Sequence, residues 1–169
     1  MAESTTLVTV DEYLSTTYKP ACDYLDGVLR QKSMPTWNHS VLQSQISYLV
    51  IRDFPAFRTG SEVTARINPA LYLVPDLIVQ AVSHIQRPYP TEPVHLCIEI
   101  LSPDDRLSET ISKCEQYHAW GVPFVWIIDP DERRAWEFPQ GHRLHEIRAD
   151  GMMTAGPIAL ALADVFRAL

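Results

Sequence analysis

The sequence predicts a mixed α/β domain, with a central mixed β-sheet flanked by helices. Three observations carry this. Leu71–Val79 and Val94–Leu101 are near-continuous apolar runs of strand length, as expected of strands buried on both faces. A stretch with helical features follows the second run and leads into a third apolar run, Phe124–Asp129. Such a strand–helix–strand unit favours a parallel pair joined by a right-handed crossover. Finally, 169 residues with 46% hydrophobic and 21% charged content suit one globular unit, residues 1–169, with a substantial core.

The elements follow in order. Thr9-Val10-Asp11-Glu12 reads as a capping box, so a short helix should run from Val10 to about Ser15. Asp26-Gly27 inside Tyr24–Leu29 signals a hairpin turn. Val41, Leu42, Ile46, Leu49 and Val50 recur at helical spacing, predicting a helix over Asn38–Asp53 closed by Phe54-Pro55. Two strands are expected between Ser61 and Val79, around Asn68-Pro69-Ala70. Ser83–Pro93 holds three prolines and reads as an ordered loop. Ser108 is placed to cap a helix ending at Trp120, with Gly121 and Pro123 as stop signals. Asp131–Arg134 reads as a turn, Ala135–Phe138 as a returning strand, His142–Ile147 as an edge strand and Leu162–Leu169 as a short helix.

Composition narrows the function. No apolar run approaches the roughly 20 residues needed to span a bilayer. Met1–Thr6 shows neither a basic nor an apolar region of a signal peptide. Cys22, Cys97 and Cys114 are odd in number and lack C-x-x-C spacing, so reduced, buried thiols in a cytoplasmic protein are expected. The formal net charge of −7 argues against nonspecific coating of nucleic acid. It leaves room for local engagement through a metal and a few of the eleven arginines. Only three lysines exist, Lys19, Lys32 and Lys113, so chemistry that needs a lysine has few candidates.

Each of the first two apolar runs carries one carboxylate, Asp76 and Glu99. A charge among aliphatic neighbours is costly unless compensated, and two on adjacent strands repel unless a cation lies between them. A divalent metal held by Asp76 and Glu99 answers both problems. Hard oxygen ligands suit Mg²⁺ or Mn²⁺, and magnesium keeps several waters, so two protein carboxylates suffice. For either residue alone, a turn cap or an arginine pair explains the charge equally well. Pro75 cannot donate to a sheet ladder, which places Asp76 at a bend or edge.

Four segments then match a known pattern: Asp23-Tyr24-Leu25-Asp26-Gly27, Val74-Pro75-Asp76-Leu77, Ile98-Glu99-Ile100-Leu101-Ser102-Pro103, and Lys113–Tyr117 into Gly121-Val122-Pro123. The closing Trp126–Pro130 also fits. Through these the chain resembles the Uma2-type family, formerly a domain of unknown function, within the PD-(D/E)xK nuclease superfamily. The resemblance implies a restriction-endonuclease-like core and a metal-dependent endonuclease acting on DNA, with Asp76 and Glu99 as metal ligands. In the general nuclease pattern a lysine stands two residues after the glutamate, where this chain has Leu101. The Uma2-type pattern offers it from the following helix, at Lys113, to assist the attacking water. Lys32 is the reserve candidate, while Lys19, beside Pro20, is the weakest. Asp23 stands where the family carries a glutamate, so it is expected either in the metal shell or as a turn residue. His39 matches a histidine of the family at a helix start.

Other residues stay outside the proposal. Asp26 is structural as part of a turn. Lys113 has a plain alternative as a solvated residue paired with Glu109 four residues earlier. The remaining histidines show no zinc spacing, and Ser102 lacks the glycine-flanked elbow of a serine hydrolase. A homodimer is left open, with Phe124-Val125-Trp126 and Ile158–Leu162 serving either as interface or as core. The competing function is a nuclease-fold binding or interaction module without turnover. A carboxylate-pair glycosidase is weaker, because the flanking isoleucines and leucines do not suit a sugar cleft.

Overall fold

The computed structural model describes residues 7–169, so Met1–Thr6, read above for a signal, lies outside them. The chain opens with helix α1 (Val10–Ser15), capped by Thr9 as its sequence signals. The hairpin β1 (Cys22–Leu25) and β2 (Val28–Gln31) turns at Asp26-Gly27, where both residues have positive φ. Helix α2 (Trp37–Asp53) follows, with Thr36 as N-cap, and then β3 (Phe57–Ser61), β4 (Ala65–Asn68), β5 (Leu71–Leu73) and β6 (Leu77–Ala81). The proline-rich loop leads to β7 (Leu96–Ile100), α3 (Leu107–Trp120), β8 (Phe124–Asp129) and β9 (Arg134–Pro139). The end of the chain holds β10 (His145–Glu146), β11 (Met152–Ala155), β12 (Ile158–Ala161) and a short helix α4 (Leu162–Val165).

The principal sheet has six strands in the order β10-β9-β8-β7-β6-β3. It is mixed: β7 and β8 run parallel across the α3 crossover, and its other pairs are antiparallel. Alternation along β7 sends Leu96, Ile98 and Ile100 into a core with Leu42, Ile46 and Leu49 of α2. Cys97 and Leu101 face the other way, into a core with Cys114 and Tyr117 of α3. A smaller cluster, Tyr13, Tyr24 and Tyr72, joins α1 to a second sheet ordered β2-β1-β5-β4.

Several expectations need correction. The central mixed sheet is present as expected, but among the described residues two smaller sheets stand beside it, the four-stranded one and the hairpin β11–β12. The run Leu71–Val79 is not one strand. It splits at Val74-Pro75-Asp76, with β5 in the four-stranded sheet and β6 in the six-stranded one. Pro75 has no N–H for a ladder and restrains Val74, so the chain changes sheets there. Ser108 lies inside α3 and does not cap it; Arg106 is the N-cap residue and makes no side-chain capping bond. Strand β3 went unread because only Phe57 is buried along its length. Val125, Trp126, Ile158, Leu160 and Leu162 are buried within the chain itself, so these segments are core rather than a free interface.

Gly121 ends α3 as its sequence predicts. Its φ is 116°, its N–H reaches the carbonyls of Tyr117 and His118, and an added Cβ would lie 3.0 Å from Pro93 Cγ. Gly121→Ala is expected to lower stability by about 1–3 kcal/mol, read as a drop in thermal midpoint.

Candidate active site

Strands β6 and β7 pair with Leu77 opposite Ile98, so the register places Asp76 beside Glu99 just past the end of the ladder. Both carboxylates are buried, at 2% and 6% exposure. Asp76 Oδ2 accepts the N–H of Ile100 at 2.6 Å, which ties the carboxylate across to the neighbouring strand. Glu99 shares the face of Cys97 and Leu101 and therefore meets α3.

Each of the two acidic residues is approached by side chains four residues apart on one helix, a spacing that puts both on one face. From α2, His39 Nε2 lies 3.2 Å from Asp76 Oδ1, and Gln43 Nε2 donates to the Asp76 carbonyl at 3.0 Å. From α3, Lys113 Nζ lies 3.2 Å from Glu99 Oε1, and the Tyr117 hydroxyl donates to that oxygen at 2.5 Å. The hairpin supplies the rest. Asp23 Oδ1 accepts the Val74 N–H at 2.7 Å, and its Oδ2 is 3.3 Å from Lys113 Nζ. Lys32 Nζ donates to Asp76 Oδ1 at 2.6 Å and to Glu62 Oε2 at 2.8 Å. Lys113 also donates to the Val74 carbonyl at 3.0 Å.

These contacts polarise the pair unequally. Burial disfavours charge on Asp76, but the Lys32 ammonium and the hydrogen bond from His39 outweigh it and hold the carboxyl well below the usual range. Glu99 goes the other way. Burial, opposed by Lys113 and reinforced by the charge on Asp76, pushes it up to about 7. Lys113 is raised above an ordinary lysine despite burial, because Glu99, Asp23 and Asp76 surround it, and it stays protonated.

This asymmetry has a measurable consequence. A carboxyl whose folded pKa is raised binds its proton more tightly in the native state, so its contribution is present below its unfolded value of 4.5 and is lost as pH rises towards 7. Glu99 should therefore lower metal-free stability progressively as pH rises across that window. Denaturation of Glu99→Gln should lack this decline. Asp76 acts in the opposite sense below pH 4, where its protonation removes stability.

The structure thus brings together Asp76, Glu99, Lys113 and Asp23, with His39 beside them. Lys113 turns inward instead of pairing with Glu109 at the surface. Lys32 is not a mere reserve, since it sits on Asp76 itself. Sequence reasoning missed Tyr117, Gln43 and Glu62 as site residues. The four-residue spacings Lys113–Tyr117 and His39–Gln43 were the available signal; Glu62 carried none. Asp26 is structural as expected, with φ 46° and its N–H on the Ala70 carbonyl. All three cysteines are buried and free. Among the described residues, no three His, Cys, Asp or Glu side chains converge in a metal-binding arrangement, and no helix is long and apolar enough to cross a membrane.

The carboxylates open onto a cleft of about 1070 Å³. Its lining carries four basic side chains, Lys19, Arg30, Lys32 and Lys113, against seven acidic ones. Such a cleft repels a polyanion unless further positive charge is supplied.

Comparison with known proteins agrees with this architecture. A crystal structure of a putative nuclease belonging to DUF820 from Anabaena variabilis superposes with a TM-score of 0.80 at 25% identity, covering 95% of this chain and 98% of that one. DrdV in complex with DNA overlaps at a TM-score of only 0.39 and 13% identity, covering 75% of this chain and 12% of that one, too little to equate the folds. No curated protein matches the chain. The model of the Uma2 family, described as "Putative restriction endonuclease", matches residues 10–164, and the chain belongs to that family.

Proposed function

We propose that the chain is a metal-dependent nuclease that hydrolyses phosphodiesters of DNA. The observation that supports this most is the convergence of two buried carboxylates from adjacent strands, Asp76 and Glu99, beside a buried lysine at an open cleft. The donor set fits a hard divalent cation. Both ligands offer carboxylate oxygens, and burial together with the charge on Asp76 disfavours ionised Glu99, a cost that a bound cation would relieve. Asp76 and Glu99 would hold Mg²⁺ or Mn²⁺. When bound, the cation offsets charge on a phosphate oxygen and makes water a better nucleophile at neutral pH.

The chain's own residues perform the remaining work. Lys113, fixed by Asp23 and the Val74 carbonyl, keeps its ammonium protonated at the cleft wall, where it orients a water or stabilises charge on the phosphate. In this reading Asp23 acts as a positioning residue for Lys113. Tyr117 fixes the rotamer of Glu99 through its hydroxyl. His39 fixes Asp76 in the same way, and its buried Nδ1 has no partner among the described residues.

One observation favours a second reading, a binding module without turnover: both oxygens of Asp76 already have partners, Lys32 with His39 on one and the Ile100 N–H on the other. Incubation of supercoiled plasmid with the protein separates the two. Cleavage with Mn²⁺ that stops on chelation is expected. Intact plasmid, together with calorimetry showing no Mn²⁺ uptake, supports the binding module instead.

A further inference from the structure

Of the side chains around Asp76, Lys32 is the one to which the metal-centre reading gives no role. It directly follows β2, at the start of the β2–α2 connection, and its side chain is 14% exposed. Its ammonium sits 2.6 Å from Asp76 Oδ1, a spacing typical of a charge-assisted bond. The other partners of Asp76 are fixed in place. Ile100 N–H belongs to a central strand, and His39 is buried on α2. Lys32 alone is on a long, rotatable stem.

Glu62 gives it somewhere to go. Glu62 Oε2 accepts from Lys32 at 2.8 Å, while its Oε1 accepts from Gln43 Nε2 at 2.9 Å and its backbone N–H reaches the Asp76 carbonyl at 3.2 Å. Its side chain is 39% exposed, against 3% for Asp76. Lys32 therefore bridges an inner, buried carboxylate and an outer one at the cleft rim. The ammonium remains charged there: burial opposes protonation, and Asp76 outweighs it.

We infer that Lys32 is a built-in competitor for the divalent cation: its ammonium bridges Asp76 Oδ1 and Glu62 in the metal-free protein, and gives up Asp76 while keeping Glu62 when a metal binds. The inference rests on the metal-centre reading above. It follows from the crowding of that oxygen: Lys32 Nζ at 2.6 Å and His39 Nε2 at 3.2 Å already approach Oδ1, and a metal taking the same oxygen would be repelled by the ammonium beside it. Metal affinity then includes the free energy of displacing Lys32, and Glu62 lowers that cost by retaining the ammonium within the cleft.

The test is Mn²⁺ binding to the whole chain by calorimetry, beside thermal melting with and without Mn²⁺. Lys32→Met and Lys32→Gln should bind Mn²⁺ roughly 5- to 150-fold more tightly than the natural protein, the range of a typical site-to-site coupling. Both should melt lower without metal, since Asp76 loses its ammonium, and should gain more from Mn²⁺ than the natural chain does. If Lys32→Met fails to fold alone, recovery of structure on adding Mn²⁺ supports the inference. Equal or weaker Mn²⁺ affinity in Lys32→Gln overturns it while leaving the metal centre standing. Absence of binding in the natural chain and in both variants overturns the metal centre, and this inference with it.

Discussion

Replacing Asp76 by alanine is expected to slow Mn²⁺-dependent DNA cleavage by at least about 10³-fold, because in the proposed mechanism several kcal/mol of transition-state stabilisation rests on a cation that Asp76 would hold. Glu99→Ala should do the same. The informative comparison is the double variant. Two carboxylates that act through one shared cation fail as a unit, so Asp76→Ala with Glu99→Ala should be no slower than either alone. Independent roles would instead multiply. Asp76 also accepts the Ile100 N–H and holds Lys32, so alanine disturbs structure as well as chemistry. Asp76→Asn separates these effects: its carbonyl still accepts from Ile100, yet it loses the charge, and cleavage should fall comparably. Gel assay of plasmid nicking, with circular dichroism to verify folding, reads both. Cleavage within tenfold of the natural rate in Asp76→Asn would remove Asp76 from the metal site.

How much of this was legible beforehand depends on how locally each feature is encoded. The Asp26-Gly27 turn, the Gly121 stop and the Phe124–Asp129 strand depend on a few adjacent residues, and each formed as read. Asp76 and Glu99 stood out because aliphatic neighbours made their charge anomalous. The division of Leu71–Val79 between two sheets was hidden, since an apolar run looks the same whether or not its strand changes partners; Pro75 marked the place but not the destination. In the site, Lys113 reads locally as a solvated helix residue, and only its match to a family pattern pointed it inward. Lys32 was hardest. Its partners Glu62 and Asp76 lie 30 and 44 residues away, and nothing in Gln31-Lys32-Ser33 announces a buried ammonium.

Lys113→Met should cost roughly 3–5 kcal/mol of stability in metal-free protein at pH 8, the range for removing one partner of a buried ion pair. The basis is the surroundings of Nζ: Glu99 at 3.2 Å, Asp23 at 3.3 Å and the Val74 carbonyl at 3.0 Å, with the side chain only 13% exposed. Methionine fills similar volume, so lost charge rather than a cavity dominates. A surface lysine paired with Glu109 would cost under about 1 kcal/mol. The cost should also depend on pH, because Glu99 has an alternative to pairing: it takes up a proton. In the natural chain that uptake already occurs near pH 7. Without the ammonium, which favours the ionised form, the folded pKa of Glu99 rises further, so at pH 5 the neutral acid needs no partner and the penalty shrinks. Urea denaturation of both proteins at pH 5 and pH 8 should therefore show a gap that widens with pH. The same gap at both values would mean that Lys113 stabilises the fold through packing or through Asp23, and that Glu99 is not its principal partner.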